Sequence, residues 1–305
     1  MASLTTEIPA GITAVLGFSG AGKTSLLNLL VGFERPTSGT CDLFLTGSDV
    51  ASADFSVPLA WVPQDGGLWG HLSVRQHLET VAGGAGRKKE GGNPNSSDKL
   101  MEAFDLLHRR QSFPGGLSRG EQSRLSVCRA LASRAEMLVM DEPLSHLDAA
   151  RRPGYWQAMM QAIQHSGTSL VFSTHESETV LKYAETVICL DAGQLAFQGK
   201  TLDLYNRPAS RQLAEFLGPV NWFDDDDQRQ WLGKSFGSHP AVRPERLVIV
   251  TDDQSPCEIQ HSQFCGSLTE TTMQHVATGA RRTFLHRSAV TQFLPGQRAA
   301  LQVGT

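Results

Sequence analysis

Apolar residues follow two rhythms along this chain, and the rhythms divide it. Up to about residue 217, short continuous apolar runs alternate with stretches whose apolar positions recur every three or four residues, the pattern of buried parallel strands separated by helices. The runs at 12–16, 59–62, 137–140, 169–173 and 187–190 predict strands, and alternation at 40–45 and 194–198 predicts two more. Helical spacing predicts helices over 25–30, 74–81, 98–108 and from Ser118 to about Ser133, with Leu100, Phe104 and Leu107 on one face of the third. Residues 34–39 punctuate as a turn, and 83–97 mix Gly, Lys, Asn, Pro and Ser as a solvated loop does. Past residue 217 the rhythm shortens. Alternating strands are predicted at 247–250, 263–268, 283–285 and 299–303, separated by Gly and Pro, the pattern of a small β-barrel. The acidic run Asp224, Asp225, Asp226, Asp227 reads as solvated linker. The expected organisation is an α/β domain over 1–218, a linker over 219–241 and a β-barrel over 242–305.

Between the first strand and its helix lies Gly17-Phe18-Ser19-Gly20-Ala21-Gly22-Lys23-Thr24, which fits GxxxxGK[ST] at every fixed position. Its glycines let successive backbone N–H groups turn into a nest, and the following helix, from Ser25, adds its positive N-terminus, so the segment is built to hold a polyphosphate. Lys23 is expected to reach the outer phosphates and the Thr24 hydroxyl to ligate Mg2+. The strand at 137–140 ends in Asp141-Glu142, at the sheet edge where ligands of open α/β folds bind. Asp141 is expected in the metal shell and Glu142 to orient or deprotonate water. A further strand end carries His175. Ser118, with Glu121 three residues on, forms a capping-box pattern, and a helix opened this way is either simply capped or able to accept phosphate.

Composition narrows the compartment and partners. The net charge of −4 over 305 residues, with no long Lys/Arg run, gives no nucleic-acid footprint. Five scattered cysteines, Cys41, Cys128, Cys189, Cys257 and Cys265, show no metal-ligand spacing and suit a reducing cytosol. No apolar stretch reaches the roughly 20 residues that cross a bilayer, and residues 1–9 lack the basic flank and apolar core of a signal peptide.

Taken together these pieces resemble the ATP-binding cassette family over about residues 8–218. The phosphate loop looks like Walker A, Leu117-Ser118-Arg119-Gly120-Glu121-Gln122 like the LSGGQ signature, and residues 137–142 like Walker B. Gln64 falls at the Q-loop position, Ser145-His146-Leu147-Asp148 is similar to the D-loop, and His175 sits at the switch histidine. The resemblance implies a P-loop NTPase fold with a helical subdomain, working as a homodimer. Each ATP would lie between Gly17, Ser19, Gly20, Ala21, Gly22, Lys23, Thr24 and Ser25 of one copy and Ser118, Gly120, Gln122 and Asp148 of the other. It further implies Glu142 as catalytic base, His175 at the γ-phosphate, Gln64 linking metal and water to a membrane partner, and Thr24, Gln64 and Asp141 around Mg2+.

Arg119 stands where the family has a glycine, His146 replaces a small residue, and Pro153-Gly154 is expected to start or kink a helix. Family members also carry an upstream strand and an adenine-stacking aromatic, for which Met1 comes too late. The expectation is either a start further upstream or another grip on adenine.

The segments Phe216-Leu217-Gly218-Pro219-Val220-Asn221 and Arg243-Pro244-Glu245 resemble the start of the OB-like TOBE domain of importer ATPases. The front of the chain is similar to molybdate importers, and the region of Asn221 and Arg243 to those for sulfate, iron and polyamines. The implied function is ATP-driven uptake of a small solute, foremost an inorganic ion, with a polyamine or sugar importer as the alternative. The implied partners are integral membrane permease subunits and an extracytoplasmic solute-binding protein, with the chain peripheral on the cytoplasmic face of the membrane. The permease is expected to dock near residues 64–72, where Trp61, Leu68 and Trp69 offer apolar contact or serve core packing. A cassette acting on ribosomes or DNA would call for a second cassette or a long coiled-coil insert, and a nucleotide kinase leaves Ser118 and His175 unexplained.

Overall fold

The computed structural model of the chain describes residues 4–42, 57–82, 94–233, 240–287 and 293–304. They belong to two compact units, Met1–Thr201 and Leu202–Thr305. In the first unit the strands are β1 (Ile12–Leu16), β2 (Val57–Val62), β3 (Ala135–Asp141), β4 (Ser169–Ser173), β5 (Thr186–Asp191) and β6 (Gln194–Lys200). Among them run helices α1 (Lys23–Leu30), α2 (Val74–Ala82), α3 (Pro94–Ala103), α4 (Arg119–Ala132), α5 (Arg152–Ser166) and α6 (Ser177–Tyr183).

One sheet, ordered β2-β3-β4-β1-β5-β6, organises this unit. Its first five strands are parallel and β6 returns antiparallel from β5. The tight turn before β6 puts Ala192 and Gly193 at φ 46° and 80°, the left-handed pair that a two-residue hairpin demands. The parallel strands are apolar because both faces are covered. Val15, Val139, Val171 and Ile188 pack on Leu26 and Leu27 of α1, while Phe172 lies 5.0 Å from Trp156 of α5. The chain therefore leaves β1, β3 and β4 along one carboxyl edge, where the candidate residues gather. No helix among the described residues is long and apolar enough to cross a membrane.

Local chemistry sets the helix ends. Ser118 caps α4 through the expected capping box. Pro153 sits in the first turn of α5, where its missing N–H costs nothing, and Gly167 ends that helix at φ 69°. So the helix begins at the Pro-Gly pair and is not broken by it. Helix α3 begins at Pro94, inside the stretch expected as loop, for the same reason; residues 83–93 of that expected loop and 43–45 of the strand expected at 40–45 lie outside the described residues, and 40–42 are not in a strand.

The second unit contains helices α7 (Thr201–Asn206, starting at the boundary), α8 (Arg211–Phe216) and α9 (Asp225–Leu232). Its strands are β7 (Asn221–Trp222), β8 (Ala241–Val242), β9 (Leu247–Thr251), β10 (Cys257–Cys265), β11 (Leu268–His275), β12 (Arg281–Arg287) and β13 (Ala299–Val303). Three small antiparallel sheets, β10-β11-β12, β13-β9 and β7-β8, surround a core containing Phe223, Trp231, Ile259, Met273 and Phe284. This is a small barrel-like domain. An isolated bridge between Glu258 and Arg298 and a register shift after Ile259 carry β10 from one sheet toward the next.

Two expectations change here. Residues 219–241 are not plain linker: Asp224 caps α9, Asp227 pairs with Arg282 at 2.5 Å, and Trp231 is buried edge-on to Phe284 at 5.1 Å. The run expected as one strand at 263–268 is the tip of the β10–β11 hairpin, turned at Gly266 with φ 82°. Helices α7 and α8, on the near side of residue 218, are tied into the second unit. The buried Arg243 guanidinium donates to the carbonyls of Tyr205, Ala214, Gly218 and Pro219 at 3.0–3.1 Å.

Candidate functional site

The loop between β1 and α1 is shaped by what its glycines permit. A Cβ on Gly17 would lie 2.6 Å from the Leu190 carbonyl oxygen of β5 and 2.9 Å from Ala21 Cβ, so only glycine passes. Gly20 and Gly22 hold φ of 80° and 99°, and Ala21 N–H donates to Phe18 O at 3.0 Å, closing the turn. No side chain caps α1, whose N-cap is Gly22, so the amides of its first turn stay open to an anion. Ser19 and Gly20 are exposed and Ser25 is half-buried on the same stretch. The Lys23 ammonium folds back over the loop, donating to the Gly17 carbonyl at 2.8 Å and that of Phe18 at 3.3 Å. It is thus held where bound phosphates would meet it.

Thr24 Oγ1, in the first turn of α1, donates to Asp141 Oδ2 at 2.7 Å, joining loop to strand end. Asp141 is only 2% exposed, and its other oxygen accepts from Ser173 Oγ at the end of β4, the residue opposite it in register. The same Ser173 Oγ accepts from Glu142 N–H at 2.9 Å. Ser173 escaped the sequence reading, because only the β3–β4 register reveals that it ties both carboxylate residues. A hydroxyl and a buried carboxylate this close are hard oxygen donors of the kind Mg2+ takes, with waters completing its shell.

Glu142 turns out of the strand at φ 49°, a left-handed conformation costing roughly 1–3 kcal/mol for a non-glycine residue. That turn presents its carboxylate between two side chains. Gln64 Nε2, just beyond β2, lies 3.5 Å from Glu142 Oε2, and His175 Nδ1, just beyond β4, lies 3.5 Å from Oε1. Three strand ends thus converge on one carboxylate.

The start of α4 forms a second wall. Ser118 Oγ accepts from Glu121 N–H at 3.2 Å, and Glu121 Oε2 accepts from Ser118 N–H at 2.8 Å. Burial would raise the Glu121 pKa, but its bonds from Ser118 and the neighbouring Arg109 hold it below the usual carboxylate range. Gln122 Nε2 is occupied by the carbonyls of Pro114 and Leu117 at 2.8 and 3.2 Å, so it fixes the approach to the helix. At Gly120 a Cβ would come 3.1 Å from Leu147, so the helix tip sits against the 145–148 loop. Asp148 is exposed and receives Arg151 N–H at 2.9 Å, turning the chain into α5. A cleft lined by Gln64, Arg119, Gln122, Glu142 and His146 lies between these walls. Ser118 is exposed, with its hydroxyl facing the helix amides.

The aromatic residues of the 61–69 stretch separate into two kinds. Trp61 is half-buried on β2 against the core cluster and takes Phe33 edge-on at 6.5 Å, whereas Trp69 is 37% exposed at the surface.

A nest-forming glycine loop opening a helix, coupled through Thr24 to an acidic strand end, defines the P-loop class of nucleotide-binding ATPases. The ABC transporter family profile matches residues 2–145. The Fe(3+) ions import ATP-binding protein FbpC 2 of Pectobacterium atrosepticum is 30% identical over 314 residues, covering 95% of this chain and 89% of that protein. FbpC of Pseudomonas fluorescens is 31% identical, covering 81% and 73%. Among solved structures, the dimeric MJ0796 ABC transporter cassette superposes with a TM-score of 0.55 at 22% identity, over 64% of this chain and 88% of that one. The chain belongs to the ATP-binding subunits of ABC transporters, and it is an ATP-binding ATPase of that family.

Proposed function

We propose that this chain is the ATP-hydrolysing subunit of an importer for an inorganic ion of the iron class, acting as a homodimer beneath separate permease subunits. The observation carrying the catalytic part is the placement of Glu142: its carboxylate lies between Gln64 and His175 at 3.5 Å each, one residue beyond the Asp141 bonded to Thr24. In this reading the loop amides of 17–25 and Lys23 hold the β- and γ-phosphates. Glu142 accepts a proton from water as the water oxygen bonds to the γ-phosphorus. The bond from that phosphorus to the β–γ bridging oxygen breaks, leaving ADP and inorganic phosphate. Thr24, Asp141 and Gln64 would hold Mg2+, which neutralises charge gathering on the phosphates. His175 steadies Glu142 and reaches the γ-phosphate. Ser118, Gly120 and Gln122 of one copy, with Asp148, close over the nucleotide of the other.

The iron class is supported by the names of the FbpC relatives. In this reading a solute-binding protein works outside the membrane and the chain lies on the cytoplasmic face, docked through the exposed Trp69. The experiment is Fe(III) uptake by cells in which this gene is deleted and replaced by variants. The wild-type gene should restore uptake, Lys23→Ala should abolish ATP binding with it, and Trp69→Glu should abolish uptake while the purified variant still binds ATP. Uptake that persists in Trp69→Glu contradicts the docking, and unchanged uptake on deletion contradicts the substrate.

A further inference from the structure

The seven-residue path from Pro63 to Trp69 joins the glutamine at the catalytic carboxylate to the exposed tryptophan, and its backbone is tied at nearly every step. Gly66 N–H donates to Pro63 O at 2.8 Å, and Asp65 Oδ1 accepts from Gly67 N–H at 3.0 Å. Arg129 of α4, 8% exposed, donates to the carbonyls of Gly66 at 3.1 Å, Trp61 at 3.4 Å and Gly67, and its guanidinium lies 5.0 Å from the centre of the Trp69 ring. The remaining tie comes from a residue that the catalytic account does not use. His77 of α2 is fully buried, and its ring stacks on the Trp69 indole at 5.4 Å and 20°.

The bonds of that ring determine its proton. Nδ1 lies 2.8 Å from the Ser73 carbonyl, which can only accept, so Nδ1 carries the hydrogen. Nε2 is then a lone pair, and it accepts the Trp69 backbone N–H at 2.9 Å. A proton added to Nε2 would set two donors against each other. It would also place a cation beside Arg129 and His71, the charged and titratable groups that face the ring. Burial, then those two groups, push the His77 pKa down against the opposing pull of the Ser73 bond.

We propose that His77 is a positioning residue, an uncharged latch whose Nε2 lone pair pins the Trp69 backbone so that Trp69 and Gln64 belong to one rigid piece, and that protonation of His77 releases it. The role in transport rests on the reading above that Trp69 faces the permease; the latch itself does not. A displacement imposed on Trp69 is then passed to Gln64 and Glu142 rather than absorbed by the loop, and acidification uncouples the two ends.

The test uses the full-length protein alone. Nitrogen-15 spectra of the histidine rings should show His77 neutral with its hydrogen on Nδ1. Hydrogen exchange, corrected for the intrinsic pH dependence, should show Trp69 N–H protected near pH 8. That protection should fall about tenfold as His77 titrates below the usual histidine value of about 6.5, the change expected for loss of one hydrogen bond. His77→Gln, a neutral acceptor of similar reach, should keep the protection and lose its pH dependence. A hydrogen on Nε2, or Trp69 protection that ignores the His77 titration, overturns the latch. Should His77→Gln not fold, the wild-type titration decides alone. The uptake result for Trp69→Glu is separate: its failure removes the permease reading and leaves the latch standing.

Discussion

Replacing Glu142 by Gln removes one negative charge and the proposed proton acceptor while leaving shape almost unchanged. The backbone at φ 49° is held by the bond from Glu142 N–H to Ser173 Oγ, which the substitution does not touch. Two long contacts of 3.5 Å surround the carboxylate, and an amide keeps an oxygen for one of them, so stability should move by less than about 0.5 kcal/mol. Losing a positioned general base costs roughly 10^2- to 10^4-fold in rate, or about 3–5.5 kcal/mol of barrier. Binding should survive, because in the proposed site the loop and Lys23 hold the phosphates and the variant sets one fewer carboxylate toward the γ-phosphate. The assay pairs steady-state phosphate release with equilibrium ATP binding on the same preparation. Hydrolysis within about tenfold of wild type, with binding intact, would refute the assignment of the base.

Other consequences follow from single contacts. Gly17→Ala puts a Cβ 2.6 Å from the Leu190 carbonyl and should cost about 2–3 kcal/mol along with ATP affinity; an unchanged melting temperature would contradict the close approach. Trp231→Ala empties the centre of the second unit beside Phe284 and should destabilise it by about 3–5 kcal/mol in urea unfolding, against a negligible change if α9 were solvated linker. His77 and His286 are both buried with pKa values pushed down by burial, so the unfolded chain binds protons that the folded rings refuse. Stability should therefore be flat above about pH 6.5 and fall as pH drops below it toward the folded-state values. Urea midpoints at pH 7.5 and 5.5 report this, and equal midpoints would contradict it.

What could be read in the sequence was what local chemistry determines. The phosphate loop is legible because glycine, lysine and threonine act within eight consecutive residues, and the α4 cap because Ser118 and Glu121 satisfy each other's amides three positions apart. The convergence of Gln64, Glu142 and His175 was legible only as three strand ends and by family resemblance; the sheet order brings them together. Ser173 was invisible, since a serine ending a strand looks like any other until β4 is set beside β3. The acidic stretch misled for a physical reason: Asp224, Asp225 and Asp226 do face water, but they open a helix whose opposite face buries Trp231, and Asp227 is half-buried against Arg282. Strand β11 is mostly Thr, Glu and Gln, and only Thr271 and Met273 of it are buried, so no apolar run announces it. Helix α3 was placed late, because Pro94 reads as a loop residue and serves instead as a helix start, and run past its end, because Leu107 keeps the helical spacing although Asp105 turns the chain at φ 51° ahead of a separate 3-10 turn at Leu107–Arg109.

The central claim is that two copies enclose MgATP, each closing the other's site with the tip of α4. A crystal structure of the Glu142→Gln protein with MgATP tests it most directly. The account predicts a two-fold pair in which the partner subunit's Ser118 lies within hydrogen-bond reach of the γ-phosphate gripped by Lys23. A nucleotide bound at Lys23 with the Ser118 of every copy far from any triphosphate would contradict it.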